Sequence, residues 1–277
     1  MLVARRQRVS SYEARLTLCL DERSLEFTEN SGLVDGIGGV AWDGSFLMAR
    51  TLRRLVESCP AASSLHVLEL GCGLGICGIS IASRVAAVTL TDQTIDLAAS
   101  NALATPGASN VVTLPQSWGE GLEEDLLRRR AAGTPDILVG CEVACLRSQQ
   151  RKLVDTIRGL AGRRTVVLLS FDEHPPPNRC SAERDMHALM LDAGFRGVCV
   201  SAARVRWSIP KAGASIATME GIKVESEICI GPDNLPCAQL EAFSGDPIEM
   251  HHIVAYFMEE TTATCPSCGK SKFSFPR

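Results

Sequence analysis

Between Leu65 and Ala193 the chain alternates, five times over, a short apolar run with a stretch of helical periodicity. The apolar runs are Leu65–Leu70, Ala87–Thr91, Asn110–Leu114, Pro135–Gly140 and Thr165–Ser170. The helical stretches are Gly75–Arg84, Gln93–Ala104, Glu120–Arg130, Ser148–Leu160 and Ser181–Ala193. Runs that are apolar on both faces and separated by amphipathic helices make βαβ units, so the spacing predicts a mostly parallel sheet covered by helices on both sides. His252–Phe257 reads as one more strong strand. Ahead of the alternation, Leu16–Leu20 and Ser24–Phe27 read as a β-hairpin turning at Asp21-Glu-Arg23. A helix starts at Asp43 and is stopped by Cys59-Pro60. Residues 203–249 lack clear periodicity and hold one strand-like run, Glu227–Ile230, so they read as a long late insertion into one domain of residues 15–260. Residues 1–14 and 261–277 read as tails, the first of them flexible.

Composition narrows the functional classes. With 28 Lys+Arg against 32 Asp+Glu, the formal charge is −4. That balance disfavours a general nucleic-acid clamp, which needs a basic face. The Arg128–Arg130 run follows Glu123-Glu-Asp125 on one helix and reads as charge complementing the helix dipole. No apolar stretch approaches the roughly 18 residues of a membrane-crossing helix, and the first eleven residues lack the apolar run of a secretory signal. The 12 cysteines, many inside apolar runs, read as reduced core residues of an intracellular protein, in the cytoplasm first and the nucleus second. A monomer is the default assembly.

The richest chemistry lies in Glu69-Leu-Gly71-Cys-Gly73-Leu-Gly75-Ile-Cys-Gly78, which leaves the first core strand and opens a helix. Glycines there permit a tight turn and a close ligand. Asp92, at the end of the second core strand, is placed to accept from ribose hydroxyls, as an adenosine cofactor requires, or to cap the next helix. Gly73-x-Gly75-x-x-Gly78 satisfies the dinucleotide fingerprint. However, Glu69, two residues before Gly71, would repel a pyrophosphate, whereas it would attract the ammonium and sulfonium of S-adenosylmethionine. The pattern favours S-adenosylmethionine and leaves a nicotinamide-dependent oxidoreductase as the rival.

These residues, with several others, resemble the seven-β-strand S-adenosylmethionine-dependent methyltransferases, in particular the protein-lysine branch known as methyltransferase family 16. Gly38-Gly-Val-Ala-Trp42 is similar to that branch's glycine-x-x-x-tryptophan segment, Val67–Gly75 to its first motif, and Leu90-Thr-Asp92 with Asn101 to its second-strand segment. Ser117-Trp118-Gly119 stands where the branch has Asp-Trp-Gly, and Asp136–Cys145 where it has the fourth strand and an acidic-x-x-Tyr motif. The resemblance implies a Rossmann-like, doubly wound, seven-stranded fold and methyl transfer to a lysine of a protein substrate. It implies that Trp42, Gly71, Cys72, Gly73, Asp92, Trp118 and Cys141 line the cofactor site, to which Glu69 is added by the charge argument above, and that Glu142 faces the substrate at the mouth. Trp42 can meet the sulfonium by a cation–π contact or anchor a helix in the core, and Trp118 can pack on adenine or in the core. Glu142 can hold a substrate ammonium or sit beside a helix N-terminus.

Cys145 replaces the tyrosine of the branch, and Ser117 its aspartate. These departures sustain a second alternative, a binding module that keeps the fold without catalysis. Cys265-x-x-Cys268 resembles half a zinc knuckle, but four ligands are needed and neighbouring His251 and His252 point to opposite faces of a strand. No metal is expected. His174, in Asp172-Glu-His174-Pro, reads as part of a capped loop.

Overall fold

The structure, a computed structural model, describes residues 2–20, 23–32, 38–119, 134–145, 147–173, 181–204, 207–208, 216–220, 223–226 and 250–258. The alternation predicted above is present. Strands β4 (His66–Leu70), β5 (Ala87–Asp92), β6 (Val111–Pro115), β7 (Ile137–Cys141) and β8 (Val166–Glu173) run parallel in the order β8-β7-β4-β5-β6. Strand β13 (Met250–Met258) inserts antiparallel between β8 and β9 (Phe195–Arg204), completing the seven expected strands. A short strand, β12 (Lys223–Ser226), pairs with the outside of β9 and makes an eighth.

Side-chain alternation along the strands feeds two cores. Val67, Val88, Leu90, Ile137, Val139, Val166 and Leu168 face α1 (Asp43–Glu57), α2 (Ile76–Ile81) and α3 (Asp96–Ala104). Leu68, Leu70, Leu138, Val167 and Leu169 face α4 (Arg147–Leu160) and α5 (Ser181–Asp192). Burial on both faces explains why these runs carry no polar alternation. Helix α1 ends where expected, at Ser58 ahead of Pro60. Helix α3 starts at Asp96, three residues later than its periodicity suggested.

The amino-terminal region departs from expectation. The hairpin is real, as β2 (Glu13–Leu20) and β3 (Arg23–Asn30), paired Leu16 to Phe27. Residues 1–14, expected as a flexible tail, instead supply β1 (Leu2–Arg8), which pairs with β2 in the register Arg6 to Leu16, and β2 itself begins at Glu13. Beyond β1 lie β11 (Ile216–Glu220) and β10 (Trp207–Ser208), so a second, antiparallel sheet has five strands. Part of the segment expected as an unpatterned insertion thus returns to pair with the first strand. The inward row of this sheet, Ala4, Leu16, Leu18, Leu20, Leu25 and Phe27, joins the α1 core. The expected helix over 120–130, the run Glu227–Ile230, His174, and residues 261–277 with Cys265 and Cys268 lie outside the described residues.

Candidate active site

The turn between β4 and α2 is built on left-handed backbone at Gly71, Gly73 and Gly75. A Cβ at Gly71 would stand 2.7 Å from Val143 Cγ1 and 3.2 Å from Trp118 Cζ2. One at Gly73 would stand 3.1 Å from the Gly38 carbonyl oxygen. The glycines therefore serve both the backbone conformation and the close approach of three other segments. Asp92 locks the turn to the second strand: its Oδ2 accepts from the Gly73 amide at 2.8 Å and its Oδ1 from the Gln93 amide at 2.7 Å. It does not cap α3, which begins four residues later.

Glu69 takes a different position from the one its charge suggested. It is 2% exposed, and its Oε2 accepts from the Gly78 amide at 2.8 Å. The N-cap position of α2 is Gly75, which has no side chain to offer, so the strand carboxylate satisfies that first turn instead. Burial raises the Glu69 carboxyl from 4.5 to about 7; the Gly78 amide opposes the rise and the Asp92 charge adds to it. At neutral pH the group is partly protonated, and it acts on the turn from beneath. The amides of Cys72, Gly73, Gly75 and Gly78 donate respectively to the Thr91 carbonyl, Asp92, the Cys72 carbonyl and Glu69. These four donors of the turn are thus committed to the chain itself and are not available to a pyrophosphate.

At the carboxyl end of β7 the chain turns through Glu142, the one non-glycine residue with positive φ (53°) among the described residues. Its amide donates to Ser170 Oγ at 3.0 Å, and its Oε1 accepts from the Gly44 amide at 3.0 Å in the first turn of α1. A Cβ on Gly44 would stand 2.5 Å from Glu142 Oε1. Ser170 is 1% exposed and also donates to Cys141 Sγ at 3.0 Å, while Cys141 Sγ donates to Ser45 Oγ at 3.7 Å. The Cys77 thiol donates to the Ser45 carbonyl at 3.9 Å. It is raised well above its ordinary range, first by its hydrogen bond with Cys141 and then by burial. Burial, followed by the Glu69 and Asp92 charges, does the same to Cys72. Thiols held protonated in this way are wall, not nucleophile.

Trp42 and Trp118 border this region. Trp118 is half-buried and its ring lies over Gly71, against the α4 core. Trp42 is 47% exposed and occupies the N-cap position of α1, so it is not a core anchor. The structure thus gathers Glu69, Gly71, Cys72, Gly73 and Asp92 at the turn, with Trp118 across it. It sets Cys141 and Glu142 at the neighbouring strand end, beside the first turn of α1 that Trp42 precedes. The sequence reading missed Gly44, Ser45 and Ser170. Gly44 carried a signal, since a glycine inside the first turn of a helix marks a close neighbour. Among the described residues no group of three or more His, Cys, Asp or Glu could hold a metal, and no helix is long and apolar enough to cross a membrane.

An open, mostly parallel sheet carrying a glycine turn, an acid on the second strand and an acid at the fourth strand's end defines the class of Rossmann-like methyltransferases. Residues 19–185 match the lysine methyltransferase family, and the chain belongs to that family, whose cofactor is S-adenosylmethionine. A protein N-lysine methyltransferase METTL21A of Xenopus tropicalis is 29% identical over 142 residues, 49% of this chain and 60% of its own length. The Mus musculus protein of the same name is 29% identical over 166 residues, 58% of this chain and 69% of its own. The chain therefore spans about three fifths of the first of these relatives. Among solved structures, a precorrin 8w decarboxylase from Methanobacterium thermoautotrophicum is similar over 70% of this chain and 94% of its own, with a TM-score of 0.49 and 14% identity.

Proposed function

We propose that this chain transfers a methyl group from S-adenosylmethionine to a lysine side chain of a protein. The observation that carries the reading is the commitment of the turn's amides to Asp92, Glu69 and backbone carbonyls. A turn with those four amides satisfied from within suits a phosphate-free nucleoside better than a diphosphate, which would need such donors. When bound, the cofactor supplies an electrophilic methyl group on a positively charged sulfur.

The chain's own residues then position and exclude. Asp92 spends one oxygen on Gly73 and one on Gln93, and each oxygen keeps acceptor capacity for ribose hydroxyls. Trp118 over Gly71 supplies a flat wall for adenine, and Trp42 an aromatic face for the sulfonium. Cys141 closes the site between the two strands' ends with a thiol already engaged by Ser170. Displacement at carbon needs a neutral amine on a line with the departing sulfur, so the chemistry asks for alignment more than for acid–base groups. Glu142, held by Gly44 and Ser170, receives the substrate ammonium at the mouth and orients it until its proton passes to water.

Calorimetric titration separates this reading from the nicotinamide alternative. S-adenosylhomocysteine is expected to bind and NAD not to. Binding of NAD alone would overturn the assignment.

A further inference from the structure

The strand row Leu25-x-Phe27-x-Glu29 points inward, and its last member is an acid only 2% exposed. Glu29 is held by Arg6 on β1, through Nε to Oε2 at 2.6 Å and Nη2 to Oε1 at 2.9 Å. The same Oε1 accepts from the Ala41 amide at 2.7 Å, and Arg6 Nη2 also donates to the Ala41 carbonyl at 3.2 Å. Ala41 belongs to the segment running from Gly38, whose carbonyl touches Gly73, to Trp42. Asn30, next along β3, donates its amide to the Gly39 carbonyl at 2.7 Å. One residue before Glu29, the Thr28 amide donates to Asn101 Oδ1 at 2.8 Å. Asn101 Nδ2 donates to the Thr28 carbonyl at 3.3 Å and to the Leu74 carbonyl, inside the glycine turn, at 3.2 Å. Strand β3 therefore grips the turn from two sides, once through Asn101 and once through the 38–42 segment.

From this we infer that the amino-terminal sheet is part of the cofactor site, with Arg6 and Glu29 as positioning residues that fix the 38–42 segment on the glycine turn. The inference rests on the reading of that turn as the S-adenosylmethionine site. Glu29 is buried with three hydrogen bonds and one opposite charge. Without Arg6 it becomes a buried, uncompensated carboxylate whose relief is to move toward water. Because the same oxygen holds Ala41, that movement carries the segment off Gly73 and displaces Trp42. Neither residue needs to touch the cofactor.

The test is calorimetric titration of the full chain and its variants with S-adenosylhomocysteine, alongside the melting temperature of each protein without ligand. Arg6→Gln is expected to weaken binding at least tenfold. Glu29→Gln, which keeps an acceptor for Ala41, is expected to weaken it less. Arg53→Lys is the control. Arg53 ties α1 to the same sheet through the Leu20 carbonyl at 2.7 Å, away from the turn, so this variant should melt lower yet bind within twofold of the parent. Parent-like affinity in Arg6→Gln, or an equal loss in Arg53→Lys, would overturn the inference. Should Arg6→Gln not fold, Arg6→Lys, which keeps the charge and loses the fork, is expected to weaken binding several-fold, and unchanged affinity there counts against the inference. A parent chain that does not bind S-adenosylhomocysteine at all removes the site reading itself.

Discussion

Two carboxylates of the site, Glu142 and Glu69, each accept from a backbone amide, and each was visible as a residue type while its placement depended on backbone. Glu142 occupies left-handed backbone, which costs a side chain roughly 1–2 kcal/mol, and its carboxylate is engaged at Gly44. Glu142→Gly and Glu142→Ala should both lose methyl transfer. The glycine variant should be the more stable of the two by about 1 kcal/mol in urea unfolding, because only it is at ease at that φ. Equal stabilities would mean the turn is not strained. Glu69 gives a pH test. Its carboxyl is raised in the folded state, from 4.5 to about 7, so ionisation takes nothing from stability below pH 4.5, and the stability of the protonated form is lost as pH rises through 7. The cost at pH 8 is roughly 3 kcal/mol. Glu69→Gln keeps an acceptor for the Gly78 amide and does not ionise. It should therefore gain stability over the parent between pH 5 and pH 8, and a pH-independent difference in chemical unfolding would contradict the buried-acid account.

At the level of elements, the parts that read correctly from sequence are those whose neighbours lie close along the chain or whose environment is uniform. Strands β4, β5, β7 and β8 are buried on both faces, so a short apolar run announces them without further information. The glycine turn announces itself because its conformations exclude other residues. Strand β1 was hidden because its sequence, Leu2-Val-Ala-Arg-Arg-Gln-Arg8, looks solvated. Its inward positions include Ala4 and Arg6, and Arg6 finds its partner 23 residues away. Glu142 was placed at a strand end by resemblance, but its grip on Gly44, 98 residues earlier, leaves no local pattern. Asn101 is the element-scale joint most open to test. It is 2% exposed and links α3, β3 and the glycine turn. Asn101→Ala should cost about 2–3 kcal/mol in denaturant unfolding by leaving the Thr28 and Leu74 groups unpaired. A cost under about 0.5 kcal/mol would show that the joint is dispensable.

Across the whole molecule, the two sheets share one core through α1, so the amino-terminal strands are structural rather than ornamental. Removing residues 1–12 should lower the melting temperature by at least about 5 °C, since it strips β1 from β2 and takes Arg6 away from Glu29. An unchanged melting curve would restore the flexible-tail expectation. The departures at Cys145 and Ser117 bear on whether the assembled site still turns over. One measurement settles that most directly: incubating the chain with methyl-tritiated S-adenosylmethionine and a protein extract, then hydrolysing the labelled protein and separating its amino acids. The account predicts label in methylated lysine, abolished in Glu142→Ala. Cofactor binding without any label transferred, or label on another residue type, would contradict it.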